Sequence, residues 1–184
     1  NTAIGNSAGR ANTTGQASVF LGNGAGFNST GSFNAFLGAN TGTNVTTGAN
    51  NTFVGHNSGF STTTGGGNVC LGANAGQTAL LDNNNTLLGS NADIFVAGIT
   101  NSTAIGNRAT VSASNSLVLG SVAGTNGATS NVNVGIGVIN PAERLHVAGN
   151  IRMVDGNQAA GKVLTSDGNG TGSWQVLPAA SPDW

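Results

Sequence analysis

An aliphatic residue followed by glycine recurs along this chain at Ile4-Gly5, Leu21-Gly22, Leu37-Gly38, Val54-Gly55, Leu71-Gly72, Leu88-Gly89, Ile105-Gly106, Leu119-Gly120 and Val134-Gly135. Successive glycines stand 17, 16, 17, 17, 17, 17, 14 and 15 residues apart. A sustained period of this length marks a coil that cannot bury its apolar side alone and stacks on copies of itself. Other columns keep the register. Four residues before the glycine come Asn1, Ser18, Asn34, Asn51, Asn68, Asn85, Ser102, Ser116 and Asn131, all small and hydrogen-bonding. Three residues after it come Ala8, Ala25, Thr41, Ser58, Ala75, Ala92, Ala109 and Ala123, and a second glycine follows at Gly9, Gly26, Gly42, Gly59, Gly76 and Gly124.

Helix does not fit this pattern. Two glycines per unit each cost about 1 kcal/mol relative to Ala in a helix, and the apolar spacing never follows 3.6. The runs before the glycines are rich in Val, Ile, Phe and Thr, which suit strands, and the glycines suit sharp corners that need positive φ. The spacing therefore predicts an all-β parallel β-solenoid over residues 1–137, with about 17 residues per turn and 14 near its end. Some eight turns at roughly 4.8 Å each would give a rod of about 40 Å.

Alternate strand residues point to opposite faces. The column before the glycine (Ile4, Leu21, Leu37, Val54, Leu71, Leu88, Ile105, Leu119, Val134) is aliphatic in every unit and is expected to fill the solenoid core. The column one residue earlier, led by Phe20, Phe36, Phe53, Cys70, Leu87 and Val118, then faces outward as a second apolar ladder. Strands apolar on both faces are normally covered on both. Loops of the same chain or neighbouring chains could cover this ladder; contact between chains is the expectation, and on that reading an Asp at Phe36 dissociates an oligomer.

Composition narrows the function. Only 6% of the 184 residues are charged, and the net charge is −1. No basic stripe is present to displace counterions from a phosphate backbone, so nucleic acid is not an expected partner. No apolar run approaches the ~20 residues that cross a bilayer as a helix, so membrane insertion is not expected either. The chain opens in mid-pattern and reads as part of something longer. His56 and His146 have no carboxylate or cysteine at ligand spacing, so neither a metal, a cofactor nor a catalytic residue is expected. Cys70 sits in a column of Phe, Leu and Ala and reads as a small hydrophobe.

Charge shifts near residue 138. Before it stand only Arg10, Asp82, Asp93 and Arg108; after it come Glu143, Arg144, Arg152, Asp155, Lys162, Asp167 and Asp183. Short alternating runs at 145–147, 151–154, 162–165 and 174–177, separated by Gly- and Asn-rich turns, predict a small β connector or cap over 138–177, with Trp174 as an anchor. Residues 178–184 read as a linker or tail.

The stretch Ser102-Thr103-Ala104-Ile105-Gly106-Asn107-Arg108-Ala109, followed by Ser116-Leu117-Val118-Leu119-Gly120, resembles the head repeats of trimeric autotransporter adhesins. The 17-residue units look like a longer variant, of the kind found in related tail-fibre-like proteins. The segment from Val134-Gly135-Ile136-Gly137 through Asn140-Pro141 to Ile151 is similar to the connector that follows such repeats. The resemblance implies a left-handed β-roll, a homotrimer, and a structural and adhesive role in an extracellular fibre at a cell or particle surface, with a cell-surface receptor or glycan as target. The competing reading is a monomeric binding solenoid that recognises a glycan or ice; Thr14, Thr30, Thr47 and Thr64 share a column but form no Thr-x-Thr array.

Overall fold

A computed structural model describes residues 1–78 and 82–177; the linker or tail expected at 178–184 lies outside the described residues. The chain is a parallel β-solenoid of about seven turns, with no helix among the described residues. One rung forms at each aliphatic-glycine site: β1 (Thr2–Ile4), β2 (Val19–Leu21), β3 (Ala35–Leu37), β4 (Thr52–Val54), β5 (Val69–Leu71) and β6 (Thr86–Leu88). After the short β7 (Asp93–Ile94) come β8 (Thr103–Ile105), the short β9 (Thr110–Val111) and β10 (Leu117–Leu119). The main sheet runs β1-β2-β3-β4-β5-β6-β8-β10, every pair parallel and in register, while β7 and β9 pair on another side of the last coils. Eight strands at ~4.8 Å make a ladder of about 34 Å.

The corners explain the first glycine column. Gly22, Gly38, Gly55, Gly72 and Gly89 all have φ between 134° and 136° except Gly55 at 127°, a region that side chains rarely enter. A Cβ at any of these five would also lie 2.5–2.7 Å from backbone of the next coil's corner glycine, so the corners stack backbone on backbone. Gly135 alone of the nine lacks a positive φ.

The inside and outside of the rung are the reverse of the sequence expectation. Phe20, Phe36, Phe53, Cys70 and Leu87 lie inside the coil at 0–1% exposure, and Val118 packs against the same cluster. Leu21, Val54, Leu71, Ile105 and Leu119 face outward at 36–45% exposure, with Ile4 at 60%. The ladder read as an oligomer interface is thus the solenoid core, covered by the chain's own coils, and the column read as core is surface. The physical reason lies in what shares each face. The column two residues before the Phe ladder is Asn or Ser, and it turns inward with it.

That inward Asn column is a continuous polar ladder. Asn51 Nδ2 donates to Gly65 O at 2.9 Å, and Asn51 Oδ1 accepts the backbone N–H of Asn68 at 3.0 Å. Asn34, Asn68 and Asn85 repeat both bonds one coil away each, so every buried amide is satisfied at its two ends. Opposite it, the second glycine column makes room for the rings: a Cβ at Gly42 would meet the Phe36 ring at 2.7 Å. Phe36 packs 5.6 Å from Phe20 and 5.1 Å from Phe53, the latter pair stacked at 7°.

One interior column is less well matched. Ser29, Val45 and Thr62 occupy it at 0% exposure, and the hydroxyls of Ser29 and Thr62 have no hydrogen-bond partner in the protein. A buried polar group left unpaired costs about 1–3 kcal/mol. Thr62→Val keeps the shape and matches Val45 one rung away, so it is expected to raise stability by about 1 kcal/mol. A urea titration followed by circular dichroism checks this, and a lowered midpoint would contradict it.

The main sheet stops at β10. Residues 121–132 turn over the last coil: Ala128 is buried, Asn126 donates to Asn91 O, and Arg108 donates to Asn126 O. Val134 and Gly135, expected as the ninth rung, lie instead in β11 (Val134–Ile136), which pairs in parallel with β12 (Leu145–Val147) as a separate two-stranded sheet. Val134 is therefore no part of the ladder core. Further on, β13 (Lys162–Ser166) and β14 (Gly172–Val176) form an antiparallel hairpin around the Asp-Gly-Asn-Gly turn. Residues 151–154 form no strand, and Met153 instead accepts a hydrogen bond from Trp174 Nε1 at 3.0 Å. Asp155 accepts the N–H of Asn157 and of Trp174, and these bonds hold its carboxyl below the usual carboxylate range.

Candidate interaction surface

The outer face of the main sheet carries two rows. One holds Ile4, Leu21, Leu37, Val54, Leu71, Leu88, Ile105 and Leu119; the other holds Thr2, Val19, Ala35, Thr52, Val69, Thr86, Thr103 and Leu117. Both exist because a three-residue strand between an inward Asn and a corner glycine presents its first and third side chains to the outside. The second row mixes Thr with aliphatics, as a half-wet surface does. The first is aliphatic in all eight coils although Ile4, Leu21, Val54, Leu71, Ile105 and Leu119 stand 36–60% exposed, and Leu37 and Leu88 are half-buried.

No charged residue lies in any strand of this sheet. At ~4.8 Å per rung and ~3.3 Å per residue the face has a footprint on the order of 350 Å². Patches of a few hundred Å² on soluble chains commonly mark interaction sites. No family model, curated protein or solved structure matches the chain. The surface must therefore be read from its own chemistry.

The other sequence candidates take plain structural places. Cys70 sits between Phe53 and Leu87 in the buried ladder, and burial, assisted by the charge of Asp93, pushes its thiol well above the ordinary value. A thiol held protonated in apolar surroundings is a poor nucleophile. Among the described residues, no three of His, Cys, Asp and Glu come together as a metal-binding group. Among the described residues no helix is long and apolar enough to cross a membrane. Trp174 is half-buried against Met153 in the C-terminal hairpin rather than in the solenoid.

Two features lay outside the sequence reading. The Thr/Val row beside the aliphatic stripe belongs to the same surface and is visible as the residue three before each glycine. Phe33, 60% exposed at φ 62°, falls in no apolar column and is marked only by being an aromatic in a turn.

Proposed function

We propose that this chain is a structural and adhesive module of an extracellular oligomeric fibre, in which parallel solenoids pack through the aliphatic stripe of the main sheet. The observation that carries the reading is that an outward row of side chains is never polar in eight successive coils. A surface row free to face water has no physical reason to avoid Ser, Thr or Asn, all of which the neighbouring turns use freely.

The size of the stripe argues for more than two chains. A standard stable interface covers about 800 Å² on each partner, more than twice the footprint of the whole two-row face. Three rods around one axis, stripes inward, let each stripe meet two neighbours and draw the flanking rows into the contact. A homotrimer of left-handed coils, as in the adhesin heads that residues 102–120 resemble, fits this requirement. The small β elements after residue 133 serve as connector or cap. The rod supplies reach and rigidity without catalytic, metal or cofactor chemistry, and its neutral turns are offered to a cell-surface receptor or glycan.

The test is a molar mass. Light scattering on the purified chain is expected to give about three times 17.9 kDa, and Leu71→Asp is expected to yield monomers with unchanged circular dichroism. Leu71 is 38% exposed in one chain, so a carboxylate there is tolerated by the monomer but strands an unpaired charge in the contact, weakening association at least ~100-fold. A monomeric parent chain at micromolar concentration overturns the reading.

A further inference from the structure

The turn before each rung from β2 to β10 of the main sheet carries a column in left-handed conformation: Ala17, Phe33, Asn50, Gly67, Asn84, Asn101 and Asn115, with φ between 52° and 70°. Asn suits that conformation, and at the end of the row Asn101 Nδ2 donates along the rod to Asn115 Oδ1 at 2.8 Å. Gly67 interrupts the row. With Gly65 and Gly66 before it, it leaves one coil without side chains at the turn, and a notch of about 600 Å³ opens there, lined by Thr47, Asn50, Thr64, Asn83 and Asn84. It is a shallow depression, broadly open to solvent, rather than an enclosed cavity.

The lining is built for neutral polar recognition. Asn50 and Asn84 flank Gly67 in this row with solvent-exposed side chains, and the Asn84 amide leans over the glycine, its Oδ1 2.5 Å from where a Cβ at Gly67 would lie. The exposed hydroxyls of Thr47 and Thr64 are uncommitted, whereas Thr14 and Thr30 in the same column donate theirs to carbonyls of the next coil. Each exposed amide offers a donor and an acceptor side by side, the complement of adjacent hydroxyls on a ring. No charged residue lines the notch.

Phe33 stands one rung from Asn50, where Asn50 N–H donates to Ser32 O at 3.1 Å. Its φ of 62° is strained for a bulky side chain, and its ring is 60% exposed. The fold does not require an aromatic there, since Ala, Asn and Gly fill the same position in the other coils. Strain retained at an exposed position points to use rather than to packing.

We propose that the notch at Gly67 binds a neutral saccharide, whose hydroxyls pair with Asn50, Asn84, Thr47 and Thr64 while an apolar ring face rests on Phe33. This supplies a ligand class for the adhesive role proposed above. The notch is complete within one chain, so it stands or falls separately from the assembly.

Saturation-transfer NMR on the full chain tests it, with methyl glycosides of glucose, galactose, mannose, N-acetylglucosamine and N-acetylgalactosamine, and β-linked disaccharides of each, as probes. At least one is expected to bind with a Kd on the order of 1 mM, and Phe33→Ala and Gly67→Asn are each expected to weaken it at least ~10-fold. Gly67→Asn restores the residue the column uses elsewhere, displaces the flexible Asn84 side chain and fills the notch, so the rod remains folded. Asn115→Ala serves as the control and is expected to leave binding unchanged. Absence of binding across the panel overturns the proposal, as does binding that survives both variants. A Phe33→Ala that lowers the molar mass and leaves sugar binding intact overturns it too, by assigning the ring to the contact between chains.

Discussion

Phe36→Asp is expected to abolish the folded state of the central coils. Phe36 is fully buried between the rings of Phe20 and Phe53 and against Gly42, with no polar group of the ladder at its level free to receive a carboxylate. Loss of a buried Phe alone costs about 3–5 kcal/mol. An unpaired buried charge adds several more, against a total stability of about 5–15 kcal/mol for a domain. Far-UV circular dichroism of the variant should show no cooperative transition in urea. Phe36→Leu, a residue that the same column uses at Leu87, should cost only about 1–2 kcal/mol. A variant Phe36→Asp that stays folded and merely changes its molar mass would restore the reading in which the Phe ladder joins separate chains.

Asn51→Ala is expected to cost about 2–5 kcal/mol, nearly as much as emptying an aromatic site, although it removes only a small polar side chain. Its amide closes two bonds at once, accepting from Asn68 N–H and donating to Gly65 O, and both groups are buried when it goes. Each orphaned backbone group costs about 1–3 kcal/mol. Hydrogen exchange locates the effect: the amide of Asn68 should lose protection first, while β1 and β10 are little changed because each coil touches only its neighbours. An exchange pattern unchanged at Asn68 would show that the ladder bond contributes little.

The two variants also show where the residues spoke clearly and where they did not. Coil length, rung positions and corner glycines all follow from one column, because a corner that stacks backbone on backbone tolerates nothing but glycine. Which face points inward does not follow from that column. Ile4 to Leu119 form the most uniform aliphatic row in the chain, and uniformity looks like a core; here it belongs to an outward surface.

The deciding signal was available in the partners of each row. By the two-residue alternation of a strand, Asn34, Asn51, Asn68 and Asn85 share a face with Phe36, Phe53, Cys70 and Leu87, and a small hydrogen-bonding side chain, Asn or Ser, in every unit is what a stacked interior needs to satisfy its backbone. The outward row shares its face with Thr2, Val19, Ala35 and Thr52, which vary as surfaces vary. Size complementarity says the same: Gly26, Gly42 and Gly59 stand opposite Phe rings.

The end of the array misled for a different reason. Val134-Gly135 repeats the local signature of a rung, but the ladder position before it is Asn133, and a polar residue there cannot extend an apolar interior. The chain turns away at Ser121 and pairs Val134 with Leu145 instead. The saccharide notch was illegible for want of a pattern, since it arises where the turn column loses its side chains at Gly66 and Gly67.

The bonds between rungs run along the length of the rod, from Thr2 N–H reaching Ser18 O through to Gly120 N–H reaching Ile105 O. Pulled from its two ends, such a rod loads its rungs in series, so each coil bears the whole force and the weakest junction yields first. That junction is the step past β10, where the sheet ends and no rung spans the gap to β11. A fibre made of these units gives way at the hem and keeps its weave.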